Sequence, residues 1–458
     1  MSRLSVSKMN EGSTSAFRLS GLGLLSFYIL CVAFASAAIP LGNYYLKFDW
    51  LGGIAVSAFA LTSFVKKRGI ESSSFYYVMI ALGYLALNGV VSATFGPTAF
   101  VSRSYWSYYF QFALAFLIFV SLVSFRLDTN AVVKALGVWV NLALAACVLA
   151  ILQALLGDIL VDKILFIPYY ESTAISSKYV AGILASTAWF SEASWFGSFL
   201  VVPIIYVAFR LSSENVVRRR YVLNVGTFVI LLTGLLLGYS LTATISVAVG
   251  LVFIGVMFPR SRMAIGFAML IALVILLYFW DSPLIALQVR RFTELWYGIL
   301  NFTPGSTVYG SSTSLYVRSI GFGRGISDFL QHPIFGVGMG QGTVPYDSGL
   351  ITLMAEQGVV GCIIYFWLPV YVILRLSRLR RSRDRQVALL ATFLISGLIA
   401  DYANGLVTYH PFHLQRWLLI SIAFSWLWSL RWKRSHVVRR AVPAAPQSEQ
   451  FSETEIGY

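Results

Sequence analysis

The sequence predicts an all-α, polytopic integral membrane protein of about twelve transmembrane helices, with both termini cytoplasmic and large outer loops at about 157–195 and 281–350. Three observations carry that prediction. Of the 458 residues, 58% are hydrophobic and 12% charged, with a mean hydropathy of +0.76, whereas soluble domains carry about 25% charged residues. Apolar runs of about 20 residues recur along nearly the whole chain, each long enough to cross a ~30 Å hydrocarbon layer. The runs are continuous and not alternating, which excludes a barrel, and a backbone in lipid satisfies its own polar groups as helix. Finally, the basic residues gather on one side of the resulting topology.

Residues 1–19 are polar, with Arg3, Lys8 and Arg18, and read as a cytoplasmic tail. The first span is 20–40. Its Ala35-Ser36-Ala37 resembles a signal-peptidase site, but the apolar stretch exceeds the 7–15 residues of a signal h-region, so it reads as an uncleaved helix. Further spans are expected at 50–65, 75–95, 105–125, 131–156, 196–211, 221–238, 241–258, 263–280, 351–374, 387–404 and 416–432. The pair 221–238 and 241–258 turns at Gly238-Tyr239-Ser240. Together 20–432 form one transmembrane domain, followed by a cytoplasmic tail, 433–458, whose last part has the composition of a disordered chain.

With the N-terminus inside, 25 of the 34 Lys and Arg residues face the cytoplasm. Lys47, Arg103, Lys163, Lys178, Arg290, Arg291, Arg318, Arg324 and Arg416 stand outside. This is the positive-inside bias. The formal charge of +15 therefore marks orientation and not nucleic-acid binding, and the arginine run at 375–385 reads as a topology and lipid-headgroup signal. Cys31, Cys147 and Cys362 all fall in apolar runs, so they imply packing and no disulfide framework.

The two outer loops exceed the usual ~12–15 residues and are candidates for function. Four outer cations, Arg290, Arg291, Arg318 and Arg324, lie in the second. A guanidinium offers phosphate a planar, two-pronged donor set, so these four are candidate ligands for a pyrophosphate. Arg324 and Asp328, spaced i,i+4, alternatively pair on a helix. The glycines of His332-Pro333-Ile334-Phe335-Gly336-Val337-Gly338-Met339-Gly340 permit close backbone approach, either to a ligand or to a neighbouring helix. Asp347 is a helix cap or a general base. Glu356 lies inside a span, where an ionisable group is costly. Glu192 stands in Trp189-Phe190-Ser191-Glu192-Ala193-Ser194-Trp195-Phe196 and is a general base or a helix N-terminal acid. Trp195, with Tyr169, Tyr170 and Trp189, serves sugar stacking or the interfacial aromatic belt. Asp401, His410, His413 and Arg416 surround the last outer loop.

Taken together, the large outer loop, Arg318, the Pro-x-Phe-Gly-x-Gly piece at 333–338, Asp347-Ser348 and the Glu356-x-Gly358-x-x-Gly361 piece resemble the O-antigen polymerase and ligase superfamily. Motif-level similarity covers 318–361, with weaker support at 190–201. The resemblance implies a multi-pass glycosyltransferase of the bacterial inner membrane. Its donor would be an undecaprenyl-pyrophosphate-linked glycan presented at the periplasmic face, with no cofactor, nucleotide sugar or metal. Arg318 or Arg324 would contact the pyrophosphate, and Gly336, Gly338 and Gly340 would shape the pocket. Ligases of this superfamily carry a histidine where Asp347 stands, so the sequence favours a repeat-unit polymerase for O-antigen, capsule or exopolysaccharide. The arginine ahead of the Glu192-like position is also missing, Ala185-Ser186-Thr187 standing there. Pyrophosphate leaves readily, so the chemistry needs positioning, cations and at most one base, with Asp347, Glu192 and Glu356 the candidates in that order. A chain-length regulator protein is a compatible partner. The alternatives are a ligase-type or peptidoglycan-type transferase, and a secondary transporter or flippase, which tends to carry inverted repeats and broken midplane helices.

Overall fold

A computed structural model describes residues 9–34, 38–41, 44–65, 72–95, 103–156, 179–180, 183–184, 186–190, 193–213, 218–257, 313–340, 348–407 and 414–441. Among these, the chain forms twelve helices and two small antiparallel hairpins. The helices are α1 Met9–Ala33, α2 Phe48–Val65, α3 Ser72–Phe95, α4 Arg103–Ser124, α5 Thr129–Leu156 and α6 Ala193–Ser213. They continue with α7 Arg218–Leu237, α8 Leu241–Met257, α9 Thr313–Gln331, α10 Gly349–Leu379, α11 Arg385–Val407 and α12 Leu414–Ala441. Strand β1, Ala38–Leu41, pairs with β2, Tyr44–Lys47; β3, Tyr179–Val180, pairs with β4, Ile183–Leu184.

Eleven of the twelve expected spans coincide with described helices; the other, 263–280, lies outside the described residues, as do 281–312 and 442–458. Two boundaries differ from the sequence reading. The first helix stops at Ala33, and the chain enters the β1–β2 hairpin where helix was expected up to 40. Pro40 bars helix at its own position and pushes Ile39 towards extended backbone, which suits the strand there but does not itself set the end at Ala33. At the other end, α12 runs to Ala441, well into what the sequence suggested was tail.

Among the described residues, four helices are long and apolar enough to cross a membrane: Thr129–Leu156, Ser194–Leu211, Gly349–Leu379 and Arg385–Gly405. Outward faces of several described helices are greasy. Ile80, Leu223, Ile363 and Trp367 all lie about three-fifths exposed, which suits a surface solvated by hydrocarbon and not by water. Inside, α11 packs on α6, α8, α10 and α12, and α12 packs on α4. Small residues bring the helices close. The faces of Gly52 and Gly234 press on Cys31 and Cys147, so two of the three free cysteines are packing groups, as expected from their apolar settings.

Short polar devices set the turns. Asp128 Oδ1 accepts the Ala131 N–H at 2.8 Å at the start of α5, and Asp384 Oδ1 accepts the Gln386 N–H at 2.9 Å at the start of α11. Between α7 and α8 the chain reverses at Gly238-Tyr239-Ser240, with Tyr239 at φ 50°. The segment before α6 is held by Gln153 of α5. Its amide donates to Ala188 O at 2.8 Å and accepts from Ala188 N at 2.9 Å, bracketing a residue at φ 52°.

Candidate functional site

Helix α10 is broken at Gly358, which sits at φ 63°, ψ −166°. That backbone region is open essentially to glycine alone. In an unbroken helix the Val359 and Val360 N–H groups would bond to the carbonyls of Ala355 and Glu356. Here the Pro333–Gly340 segment takes their place on both sides. Val337 N donates to Ala355 O at 2.8 Å and Gly338 N to Glu356 O at 3.0 Å. In return, Val359 N donates to Pro333 O at 2.8 Å and Val360 N to Ile334 O at 3.2 Å. The two helical bonds lost at the break become four bonds to the loop. An unsatisfied backbone group in an apolar medium costs several kcal/mol, so this exchange is what makes the break tolerable.

Only glycine permits the contact. Gly336, at φ 69°, faces the Glu356–Gln357 peptide so closely that an added Cβ would lie 2.6 Å from Ala355 O. A Cβ on Gly358 would lie 2.7 Å from Gly336 N and press on the Ile334 carbonyl. The sequence left open whether these glycines meet a ligand or a helix; for Gly336 and Gly358 it is a helix and its docked loop. The two halves of the sequence motif are the two halves of one interlock.

Asn88, in the middle of α3, locks the interlock from the side. Its Nδ2 donates to Phe335 O at 2.9 Å and Glu356 O at 3.4 Å; its Oδ1 accepts from Met339 N at 3.4 Å and from the Tyr109 hydroxyl at 2.9 Å. Tyr84, one turn away, donates to Gln357 O at 2.5 Å. Asn88 is fully buried. Sequence reasoning passed over it, although a polar amide inside an apolar run is a signal that something across the helix interface needs a partner.

A second polar group lies where α10 begins, α11 ends and α12 begins. Asp401 of α11 and Arg416 of α12 are 2% and 6% exposed and interact electrostatically. The Arg416 guanidinium also donates to Gly405 O at 3.2 Å and bonds to the Tyr365 hydroxyl of α10. Tyr365 in turn packs on Tyr402, ring centroids 5.8 Å apart. Among the described residues Asp401 Oδ2 takes no hydrogen bond. A narrow seam lined by Gly349, Leu350, Leu353, Tyr365, Tyr402 and Gly405 runs beside this group, with no room for a water molecule and so not a small-molecule pocket. Gly349, which lines the seam, directly follows the Asp347-Ser348 pair singled out in the sequence.

The remaining candidates divide as follows. Glu356 is 8% exposed and lies under the loop, with the Gly340 N–H directed at its carboxylate; it is not among the residues lining the seam. Arg324 is exposed on α9, the helix that packs on α10. Arg318 belongs to the same helix, its side chain outside the described residues; Arg290, Arg291, Glu192 and Asp347 are outside them altogether. Trp195 holds Lys47 Nζ 5.2 Å from its ring centroid, with the Trp50 ring 5.8 Å from the same Nζ. Trp189 stacks on Phe34 at 5.0 Å and donates to Ala33 O at 2.8 Å, a packing role and not an open stacking platform. In the sequence Asp401 and Arg416 are merely neighbours of the last outer loop; their electrostatic interaction, and the part of Tyr365, appear only in the fold.

No known family model matches this chain, and no curated protein matches it.

Proposed function

We propose that the chain is a lipid-pyrophosphate-dependent glycosyltransferase: a polysaccharide polymerase that joins undecaprenyl-pyrophosphate-linked repeat units at the outer face of a bacterial inner membrane. One observation carries the reading. The two sequence pieces that resemble the polymerase and ligase superfamily, separated by 17 residues (339–355), form a single interlock, and that interlock binds the arginine-bearing α9 to the helix opened by Asp347-Ser348. A motif pair with no common purpose would have no reason to meet.

In this reading Arg318 and Arg324 receive the pyrophosphate, with Arg290 and Arg291 as further cations. Arg416, already bonded to Gly405 and Tyr365 and attracted by Asp401, adds a preorganised positive charge at the same end of α10–α12. Charge placed before the reaction stabilises a departing anion without reorganisation. Asp347 or Glu192 accepts the proton of an acceptor sugar hydroxyl. The oxygen bonds to the anomeric carbon of the donor as the bond to pyrophosphate breaks, and carrier pyrophosphate leaves. A positioned base contributes about 10²–10⁴-fold.

The broken α10 is the one feature that favours a transporter, since unwound carbonyls coordinate ions in that class. Here the carbonyls of Ala355, Glu356 and Gln357 already accept from Val337, Gly338 and Tyr84. They are used for docking, which weighs towards the polymerase.

The test is purified protein in nanodiscs given lipid-linked repeat units. A ladder of longer lipid-linked glycans with released carrier pyrophosphate is expected. Arg318→Ala and Arg324→Ala should abolish it with the protein still inserted, while Arg383→Ala should keep it. Equal tolerance of all three, or normal long chains in a gene-deletion strain, would end the proposal. Loss of transfer to lipid A core with polymer persisting on its carrier would point to a ligase instead.

A further inference from the structure

The opposite end of α10 carries a second site of a different kind. Between α10 and α12 lies an open groove of roughly 160 Å³. Three guanidiniums form its rim: Arg375 and Arg378 from α10 and Arg431 from α12. The floor is aromatic, with Tyr371 and Phe424 stacked at 6.0 Å and 30°. Arg375 lies over Tyr371, its Cζ 5.1 Å from the ring centroid, and Trp428, also lining the groove, carries Arg126 at 5.9 Å. No carboxylate is among the lining residues.

We propose that this groove binds the phosphate headgroup of an anionic membrane phospholipid. The spacing supports it. Tyr371, Arg375 and Arg378 lie at i, i+4 and i+7, one face of α10. Turning outward along the same helix, Leu374, Val370 and Trp367 are 59%, 51% and 62% exposed, a continuous apolar track for acyl chains. A free phosphate would use the rim but leave the track bare. A phospholipid matches both, with charge against the guanidinium forks and hydrocarbon against the track. Such basic pockets between spans at a membrane surface suit anionic lipids. The inference stands on the groove alone and does not depend on the catalytic proposal.

The experiment is native mass spectrometry of the full chain in detergent titrated with phosphatidylglycerol or phosphatidylcholine. Wild type should retain phosphatidylglycerol over phosphatidylcholine. The triple variant Arg375→Ala/Arg378→Ala/Arg431→Ala should lose that preference by about tenfold or more, since each basic group near a charged surface contributes several-fold. A charge-matched variant, Arg381→Ala/Arg383→Ala/Arg385→Ala, removes three cations of the same run outside the groove and should keep the preference. If the groove triple does not fold, the single Arg378→Ala, at an exposed position, should still weaken retention several-fold. Equal losses in both triples would mean diffuse attraction and overturn the site, as would no loss in the groove variants. Displacement of the lipid by millimolar inorganic phosphate would show a free-anion site and overturn the lipid assignment.

Discussion

Replacing Gly358 with alanine tests the interlock with a sign as well as a size. In a continuous helix, glycine to alanine stabilises by about 0.5–1 kcal/mol. Here the residue sits at φ 63°, ψ −166°, where a side chain is strained by about 1–3 kcal/mol. The new Cβ would also press on the Ile334 carbonyl, which already accepts Val360 N at 3.2 Å. Moving that carbonyl strands at least one donor and one acceptor, at about 1–3 kcal/mol each. Gly358→Ala should therefore destabilise by about 3 kcal/mol or more, over a hundredfold in the folding equilibrium. Equilibrium unfolding in mixed micelles titrated with SDS measures it. Gly137→Ala in α5, whose Cβ would meet nothing within 4 Å, is the control and should be neutral or mildly stabilising. A Gly358→Ala protein as stable as wild type, or more so, would mean that α10 is not broken and the loop is not docked.

Two further substitutions probe the neighbouring contacts. Asn88→Leu removes the amide shared by Phe335, Glu356, Met339 and Tyr109 and should cost about 2–5 kcal/mol through stranded backbone groups, read by the same unfolding titration. Arg416→Ala strands the Gly405 carbonyl and removes the cation that interacts with buried Asp401, and should cost about 1–3 kcal/mol. Adding Asp401→Asn to it should restore part of that loss, and full additivity in the double-mutant cycle would show that the pair is not coupled.

The helical frame was legible because hydrocarbon permits few alternatives. A run such as 131–156 has to satisfy its backbone internally, and α5 follows it closely. Boundaries were less legible where a local rule overrode apolarity, as at Pro40. The glycine motif announced a close backbone approach but not its partner, since Gly336 and Gly358 are twenty-two positions apart and either was compatible with a ligand. Asn88 stands out as an amide in an apolar run, but its partners and that of Tyr84 were illegible for another reason. Most are main-chain groups of the distant loop and helix, and these leave no mark in the residue sequence. The Asp401–Arg416–Tyr365 group shows the same limit, because its three members come from three helices and nothing in their spacing links them.

The docked loop also restricts how this molecule can move. Sliding α9 away from α10 by even one residue would bare four amide and carbonyl pairs at once in a medium that offers no replacement. The helix bearing Arg318 and Arg324 is thus riveted to its neighbour, and no gating stroke can pass through that joint. Among the described residues, the boundary among α10, α11 and α12 is the softer one, since side chains and not main-chain bonds close that gap.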